Sequence, residues 1–456
     1  FKKQTNVDVD LKIYPYETAT ERLNLDLNSG DYADVIGGWT LSDNAILTYG
    51  VNQGVFIPLE DYFEKYCPNI SAILDLPGVR EKMTAPDGHI YTIPYVCADS
   101  TVGYSPYINT KWLENVGMSM PTTTDEFEAV LKAFKEQDAN GNGDASDEIP
   151  FSTDPNNKHI EAMAGYFGLP MNKLGIAIQN EKVVYGGVSD TYREFLSWFH
   201  KLYAEGLVDV ELYTQDSSTW EGKGNQDLYG VSIAYGSGEF TGIPAAEERG
   251  DFDSMPVLNT DKDGIWLRDT EGFSVYRTQA VITNKAEHPE IICRWFDNAF
   301  ALENGIGCNR GPVGVIVNKE DDGYHAIDTT TLSEEDQEKY SWGNLWPQSL
   351  PKYLPADFEF VEEHPMYDEK KATEEAYEAN LTKEIIPSYW IDLDKIDTFS
   401  DTNTAIKDFF EQQQAQFVCG ELDIDNDADW QAYVDGMYSL GLEDWVATQG
   451  IEEIAK

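Results

Sequence analysis

Positive charge is scarce in this chain. Lys and Arg total 32 against 82 Asp and Glu, a formal charge of −50. Such a surface repels phosphate backbones and anionic lipid heads, which argues against nucleic acid and bare membrane as partners. It also weighs against polyanionic ligands, unless a local basic pocket overrides it. Long apolar runs are missing, and none approaches the roughly 20 residues that span a bilayer. No secretory leader opens the sequence, which starts at Phe1-Lys2-Lys3-Gln4, so the lead segment is expected to have been cut off or left out. Cysteine is sparse: Cys67, Cys97, Cys293, Cys308 and Cys419 stand far apart. That spacing excludes a zinc motif, and the odd count leaves at least one thiol without a mate in the chain. Most are expected to be buried thiols, packed as small hydrophobes. There is no Gly-x-Ser-x-Gly elbow, no His-Glu-x-x-His and no phosphate loop, and the six histidines are dispersed.

What remains is ample material for a packed protein. The chain has 456 residues, 41% hydrophobic, which suits two lobes of roughly 200 residues each. Short runs rich in β-branched and aromatic residues read as strands: Val7 to Tyr14, Ile90 to Val96, Gly230 to Tyr235 and Phe273 to Thr283. Helical patterns lie between them. Thr123-Thr124-Asp125-Glu126 is a capping box with Thr123 as N-cap, followed by Phe127, Val130, Leu131 and Phe134 at helical spacing. Tyr192, Phe195, Leu196, Phe199 and Leu202 form a second stripe, stopped by Gly206. Pro289 opens a third, with Ile292, Trp295, Phe296 and Ala299 inward. Trp430, Tyr433, Val434 and Met437 form another, closed by Gly441. The alternation predicts an α/β fold with largely parallel sheets flanked by helices. With no linker or repeat in view, the lobes are expected to be interwoven by several crossings.

Residues Asp138 to Glu148 read Asp-Ala-Asn-Gly-Asn-Gly-Asp-Ala-Ser-Asp-Glu, straight after the capped helix. Oxygen side chains at alternate positions around a central Gly suit a hard cation such as calcium. Asp138, Asn140 and Asn142 take positions one, three and five of an EF-hand-like loop. Gly143 takes the sharp turn, Asp144 offers its carbonyl at seven, and Ser146 stands at nine. Position twelve is Ile149, so the closing carboxylate falls to Asp147 or Glu148. The alternative is a plain Asx-rich turn. A second acidic stretch, Asp423 to Asp429, lacks a Gly at its bend and reads as a solvated turn, with Asp429 capping the last helix.

Several blocks resemble a known family. Leu27-Asn28-Ser29-Gly30-Asp31-Tyr32-Ala33-Asp34-Val35-Ile36 resembles the Gly-Asp…Asp-Val signature of extracellular solute-binding proteins of bacterial ABC importers. Gly54 to Tyr62, Asp87 to Pro94, Lys111 to Lys135, Ala204 to Asp209, His288 to Asp297 and Asp429 to Leu442 resemble that family's further blocks, in family order. The Asn-Gly-Asn-Gly loop before Asp-Glu-Ile-Pro is similar to that of the LipO-like branch. The resemblance implies a type II periplasmic-binding-protein-like fold, two lobes joined by hinge crossings. It places 1–104 with about 270–320 in an N-lobe whose first strand is missing, and 105–269 with about 321–456 in a C-lobe. It also implies an extracytoplasmic, lipid-anchored receptor, expected to be monomeric, that hands carbohydrate to transmembrane permease subunits.

Sugars present apolar CH faces ringed by hydroxyls, and so call for aromatic plates with carboxylates and amides. Ligands of open α/β sheets meet the carboxyl ends of strands. That logic selects Gly38, Trp39 and Asn44; Tyr95, Asp99 and Ser100; Tyr235, Ser237 and Glu239; and Trp220, Phe273, Trp342 and Trp346. Trp39 and Trp346 lead this set. Arg310 is read as a hydroxyl or carboxylate binder or as half of a structural ion pair. The rival reading is a secreted glycoside hydrolase, since carboxylate pairs arise by chance among so many acidic residues. A peptide-binding receptor of the same fold differs only in ligand.

Overall fold

A computed structural model describes residues 5–38, 40–155, 159–242, 250–340, 350–355, 357–361 and 365–455. Contacts group the chain into two units. One is Phe1–Asp99 with Gly272–Glu363 and Trp390–Asp397; the other is Ser100–Glu271 with His364–Tyr389 and Thr398–Lys456. The chain therefore passes between units five times, at 99/100, 271/272, 363/364, 389/390 and 397/398. Residues 321–363 and 390–397 fall in the first unit, whereas the sequence bounds assigned everything after about 321 to the second.

The first unit is organised by the long strand Phe273–Ile282, which the sequence pattern placed almost to the residue. Its sheet runs Val35–Gly37, Phe273–Ile282, Thr92–Ala98, Lys352–Tyr353. The first two pairings are antiparallel and the last is parallel. The second unit's main sheet runs Ile149–Thr153, Tyr229–Ala234, Ser105–Asn109, Phe252–Ser254, with only the first pairing parallel. The expectation of largely parallel sheets is thus corrected to mixed sheets. Parallel neighbours need a long crossover, usually a helix. Here the strands Phe273–Ile282 and Ser105–Asn109 enter their sheets directly after chain crossings, so no helix returns them parallel.

The run Val7 to Tyr14 forms no strand. Its alternate residues Val9, Leu11 and Ile13 are exposed, and they find no neighbouring strand among the described residues. β-propensity expresses itself only where a partner surface exists.

The helices follow their sequence signals more closely. Thr123 Oγ1 accepts from the Glu126 N–H (3.2 Å), and Glu126 reaches back to the Thr122 N–H (2.9 Å), one residue before the usual partner. Helix Thr124–Glu136 buries Phe127, Val130, Leu131 and Phe134. Helix Asp190–Ala204 buries its five predicted residues, and Gly206 turns the chain at φ +68°. In Pro289–Asp297 the buried residues are Cys293, Phe296 and Asp297, with Ile292 and Trp295 half-buried. Helix Asp427–Ser439 buries Trp430, Tyr433 and Met437, but its N-cap is Asn426. Asp429 lies inside the first turn and accepts from the Asp423 N–H instead (3.1 Å). All five cysteines are free thiols, and only Cys419 is exposed. No helix among the described residues is long and apolar enough to cross a membrane.

Gly165 shows how tightly the second unit is packed. A Cβ there would lie 2.0 Å from the Ile265 carbonyl oxygen, whose own N–H bonds to Gly165 O (2.9 Å). Gly165→Ala is expected to destabilise the second unit by about 3 kcal/mol, because backbone must separate to make room. Urea unfolding reads this as a lower midpoint.

Candidate functional site

The acidic loop is a chain of Asx turns between helix Thr124–Glu136 and strand Ile149–Thr153. Asp138 Oδ2 accepts from the Gly143 N–H (2.9 Å), Asn140 Oδ1 from Asn142 N–H (3.0 Å), and Asn142 Oδ1 from Asp144 N–H (2.8 Å). Gly141 and Gly143 turn the backbone at φ +74° and +96°, where side chains fit poorly. The amides of Asn140 and Asn142 donate to the two oxygens of Asp147 (3.2 and 2.7 Å). Ser146 bonds Asp144 through both N–H and hydroxyl, which holds that carboxyl below its ordinary range. Its hydroxyl is thereby engaged within the loop.

Two oxygens are left over. Asp138 Oδ1 and Glu148 Oε2 are buried without a hydrogen-bond partner, while Glu148 Oε1 accepts from the Ala139 N–H (2.8 Å). Burial pushes the Glu148 carboxyl up. Orphaned carboxylate oxygens at opposite ends of an all-oxygen loop are costly unless a cation meets them. The donor set therefore fits calcium, with the closing carboxylate at Glu148 rather than at position twelve.

In the first unit the strand Phe273–Ile282 slips register between Tyr276 and Ala280, and this bulge takes Arg277 out of the ladder. Arg277 is 6% exposed and grips both oxygens of Asp43 (2.7 and 2.5 Å). The indole of Trp390 lies over its guanidinium at 4.0 Å and donates Nε1–H to Lys82 O (3.1 Å). A half-buried Trp is thus fixed by a cation–π contact and a hydrogen bond. Asn44 is half-buried beside Asp43, and the Gly38 N–H bonds Gln279 O (2.9 Å). Tyr95 stacks on Tyr276 (5.5 Å) and donates to Asn309 (3.1 Å); Tyr276 donates to Asp99 (2.5 Å). Phe273 is half-buried against this unit's core, and Arg310 lies over the Phe360 ring (5.6 Å). Trp39, Trp342 and Trp346 lie outside the described residues.

In the second unit Tyr235, at the end of strand Tyr229–Ala234, is half-buried. The Lys370 ammonium sits 4.0 Å from the ring centroid and bonds Tyr235 O (2.8 Å) and Gly103 O. Tyr104 meets Tyr235 edge-on (6.2 Å) and stacks on His159 (4.0 Å, 13°). Glu239 accepts from the Tyr235 N–H (3.0 Å). Two predicted hydroxyls are engaged within the chain: Ser237 bonds Glu369 (2.7 Å) and Ser100 bonds Val102 O (2.6 Å). Trp220 is corrected from a binding plate to a core residue. It is 3% exposed, packs on Phe240, and its Nε1–H is satisfied by Ser232 (3.1 Å).

Sequence reasoning missed Trp390, Arg277, Tyr276, Tyr104 and His159. Trp390 had a usable signal: it stands in Pro387-Ser388-Tyr389-Trp390, off any helical stripe, by the same criterion that selected Trp342.

The sequence model of the bacterial extracellular solute-binding protein family matches residues 1–305. The chain belongs to this family. Among curated relatives of this solute-binding protein, the fructooligosaccharide ABC transporter substrate-binding protein FusA of Streptococcus pneumoniae is 34% identical over 324 residues, 69% of this chain and 59% of that one. Lipoprotein LipO of Bacillus subtilis is 28% identical over 268 residues, 57% and 50% of the two chains. This chain thus spans between half and three-fifths of the length of those relatives. The solved structure of S. pneumoniae FusA in complex with kestose is similar over 98% of this chain and 92% of its own, with a TM-score of 0.85 at 27% identity. A FusA structure described as an EF-hand mutant, in complex with fructo-nystose, gives 0.84 at the same identity and coverage. The fold is the family's mixed α/β fold.

Proposed function

We propose that this solute-binding protein is the receptor of an ABC importer and captures an oligosaccharide without cleaving it. The observation that carries this reading is the likeness to FusA across almost the whole fold, in a protein whose solved structure holds kestose. The side chains agree with it chemically. In the first unit Trp390, Tyr95, Tyr276 and Asp99 supply rings beside polar oxygens, with Gly38 and Asn44 nearby. In the second, Tyr104, Tyr235 and Glu239 do the same. Ser100 and Ser237 support those positions from inside, and Phe273 packs behind the first set. A stacked ring and several hydrogen bonds are the means by which a hydroxylated ligand reaches micromolar affinity, about 8 kcal/mol.

The loop at Asp138, Asn140, Asn142, Asp144, Asp147 and Glu148 is assigned as a structural calcium site that braces the entry to strand Ile149–Thr153. Calcium when bound supplies charge to the two orphaned carboxylates and no chemistry on the sugar. On this reading the protein works outside the cytoplasm, held by a lipid anchor and served by permease subunits, a reading supported by the family's description as extracellular and by the lipoprotein relative LipO.

Kestose or nystose added to the purified chain is expected to shift its tryptophan fluorescence, since Trp390 is half-exposed. The sugar is expected to be recovered uncut. Shortened products accumulating at a steady rate would turn the reading to a glycoside hydrolase.

A further inference from the structure

Helix Pro365–Tyr377 carries Lys370, Thr373 and Tyr377 on one face, spaced three and four apart, and all three are buried. A lysine is out of place in such a stripe. Lys370 is 7% exposed, and an ammonium taken out of water is costly unless its donors are met. Burial lowers it to about 8 against the pull of Asp269, Glu239, Glu374 and Glu369, so it stays charged at neutral pH. An ammonium has three N–H donors. This one bonds Tyr235 O (2.8 Å) and Gly103 O, and sits 4.0 Å from the Tyr235 ring centroid.

Those contacts converge on two half-buried rings that meet edge-on, Tyr104 and Tyr235. Gly103 directly precedes Tyr104. Its N–H bonds the Asp269 carboxylate (2.6 Å), and a Cβ there would lie 2.4 Å from that oxygen, so the close approach needs glycine. Tyr235 is held on both sides of its backbone: Glu239 accepts its N–H (3.0 Å), and its carbonyl takes the Tyr107 hydroxyl (3.1 Å) as well as Lys370. Beside Lys370 on the helix, Glu369 accepts from the Ser237 N–H (3.0 Å) and hydroxyl (2.7 Å). An apolar side chain in place of Lys370 would fill the same space and tie neither carbonyl. Resting on the receptor reading above, we propose that Lys370 is a positioning residue for the oligosaccharide, fixing the Tyr235 and Tyr104 rings against each other before the sugar arrives. Rings ordered in advance cost less entropy on binding, so more of their contact energy appears as affinity.

Calorimetric titration of the full chain with kestose and nystose reads the effect. Lys370→Met should weaken binding about tenfold, and Tyr235→Leu by at least as much. Because Lys370 acts through the ring, adding Lys370→Met to Tyr235→Leu should cost no more than about threefold further, whereas independent losses would multiply to about a hundredfold. Lys370→Gln, whose amide keeps an N–H for one carbonyl, should fall between the unaltered chain and Lys370→Met, and it carries the same cycle if Lys370→Met does not fold. Unchanged affinity in either single variant, or losses that multiply in the double variant, overturns the inference and leaves the receptor reading standing. Uptake of neither sugar by the unaltered chain overturns the receptor reading drawn from FusA and this inference with it.

Discussion

Trp390→Ala is expected to weaken oligosaccharide binding at least tenfold while changing thermal stability little. The indole is held in place before any ligand arrives. Arg277 lies beneath it at 4.0 Å, Asp43 grips Arg277 from the side, and Lys82 O takes the indole N–H (3.1 Å). A plate fixed in advance costs little further ordering on binding, so its stacking contributes nearly in full. Removing a central aromatic anchor typically costs about 2 kcal/mol or more, which is tenfold or beyond in affinity. The fold loses a cation–π contact worth about 0.5–1 kcal/mol at a part-exposed site and one part-exposed hydrogen bond to Lys82 O. Trp390→Phe should fall between, because it keeps a ring and loses the bond to Lys82. Calorimetric titration beside a thermal melt separates the two effects. Unchanged affinity in Trp390→Ala would remove this residue from the site.

Chelation is expected to lower the melting temperature by several degrees, and added calcium to restore it. At a hundredfold excess over its dissociation constant a ligand adds about 2.7 kcal/mol to the folded state. Asp138→Asn should abolish the response, since Asp138 supplies one of the two orphaned oxygens. The pH dependence has a definite sign. Without metal, burial raises the folded-state pKa of Glu148. Its ionised form then opposes folding above the ordinary carboxylate range, and this penalty disappears as pH falls through the raised value. Calcium needs that carboxyl ionised, so the chelator effect should shrink as the solution is acidified. A chelator effect that is absent at neutral pH leaves only a turn.

The parts of the fold legible in the sequence were those set by neighbours along the chain. Thr123 and Glu126 cap a helix from three residues apart, and Phe127 to Phe134 repeat at its period. The loop at Asp138 to Glu148 was readable for the same reason, because its hydrogen bonds span two to nine residues. Strand direction was not readable, because it depends on where the chain re-enters a sheet after leaving its unit. Trp220 misled because its helix, Ser217–Asn225, is short and polar, with Trp220 and Gly224 its buried residues. No apolar stripe announces such a helix. Arg277 and Asp43 stand 234 residues apart, and nothing local to either predicts the pair that orients Trp390.

The most direct measurement is calorimetric titration of the purified chain with kestose or nystose, followed by chromatography of the recovered sugar. Saturable one-to-one uptake with the saccharide returned intact is the expected result. Heat silence with every neutral and acidic glycan tried, or sugar returned in pieces, would contradict it.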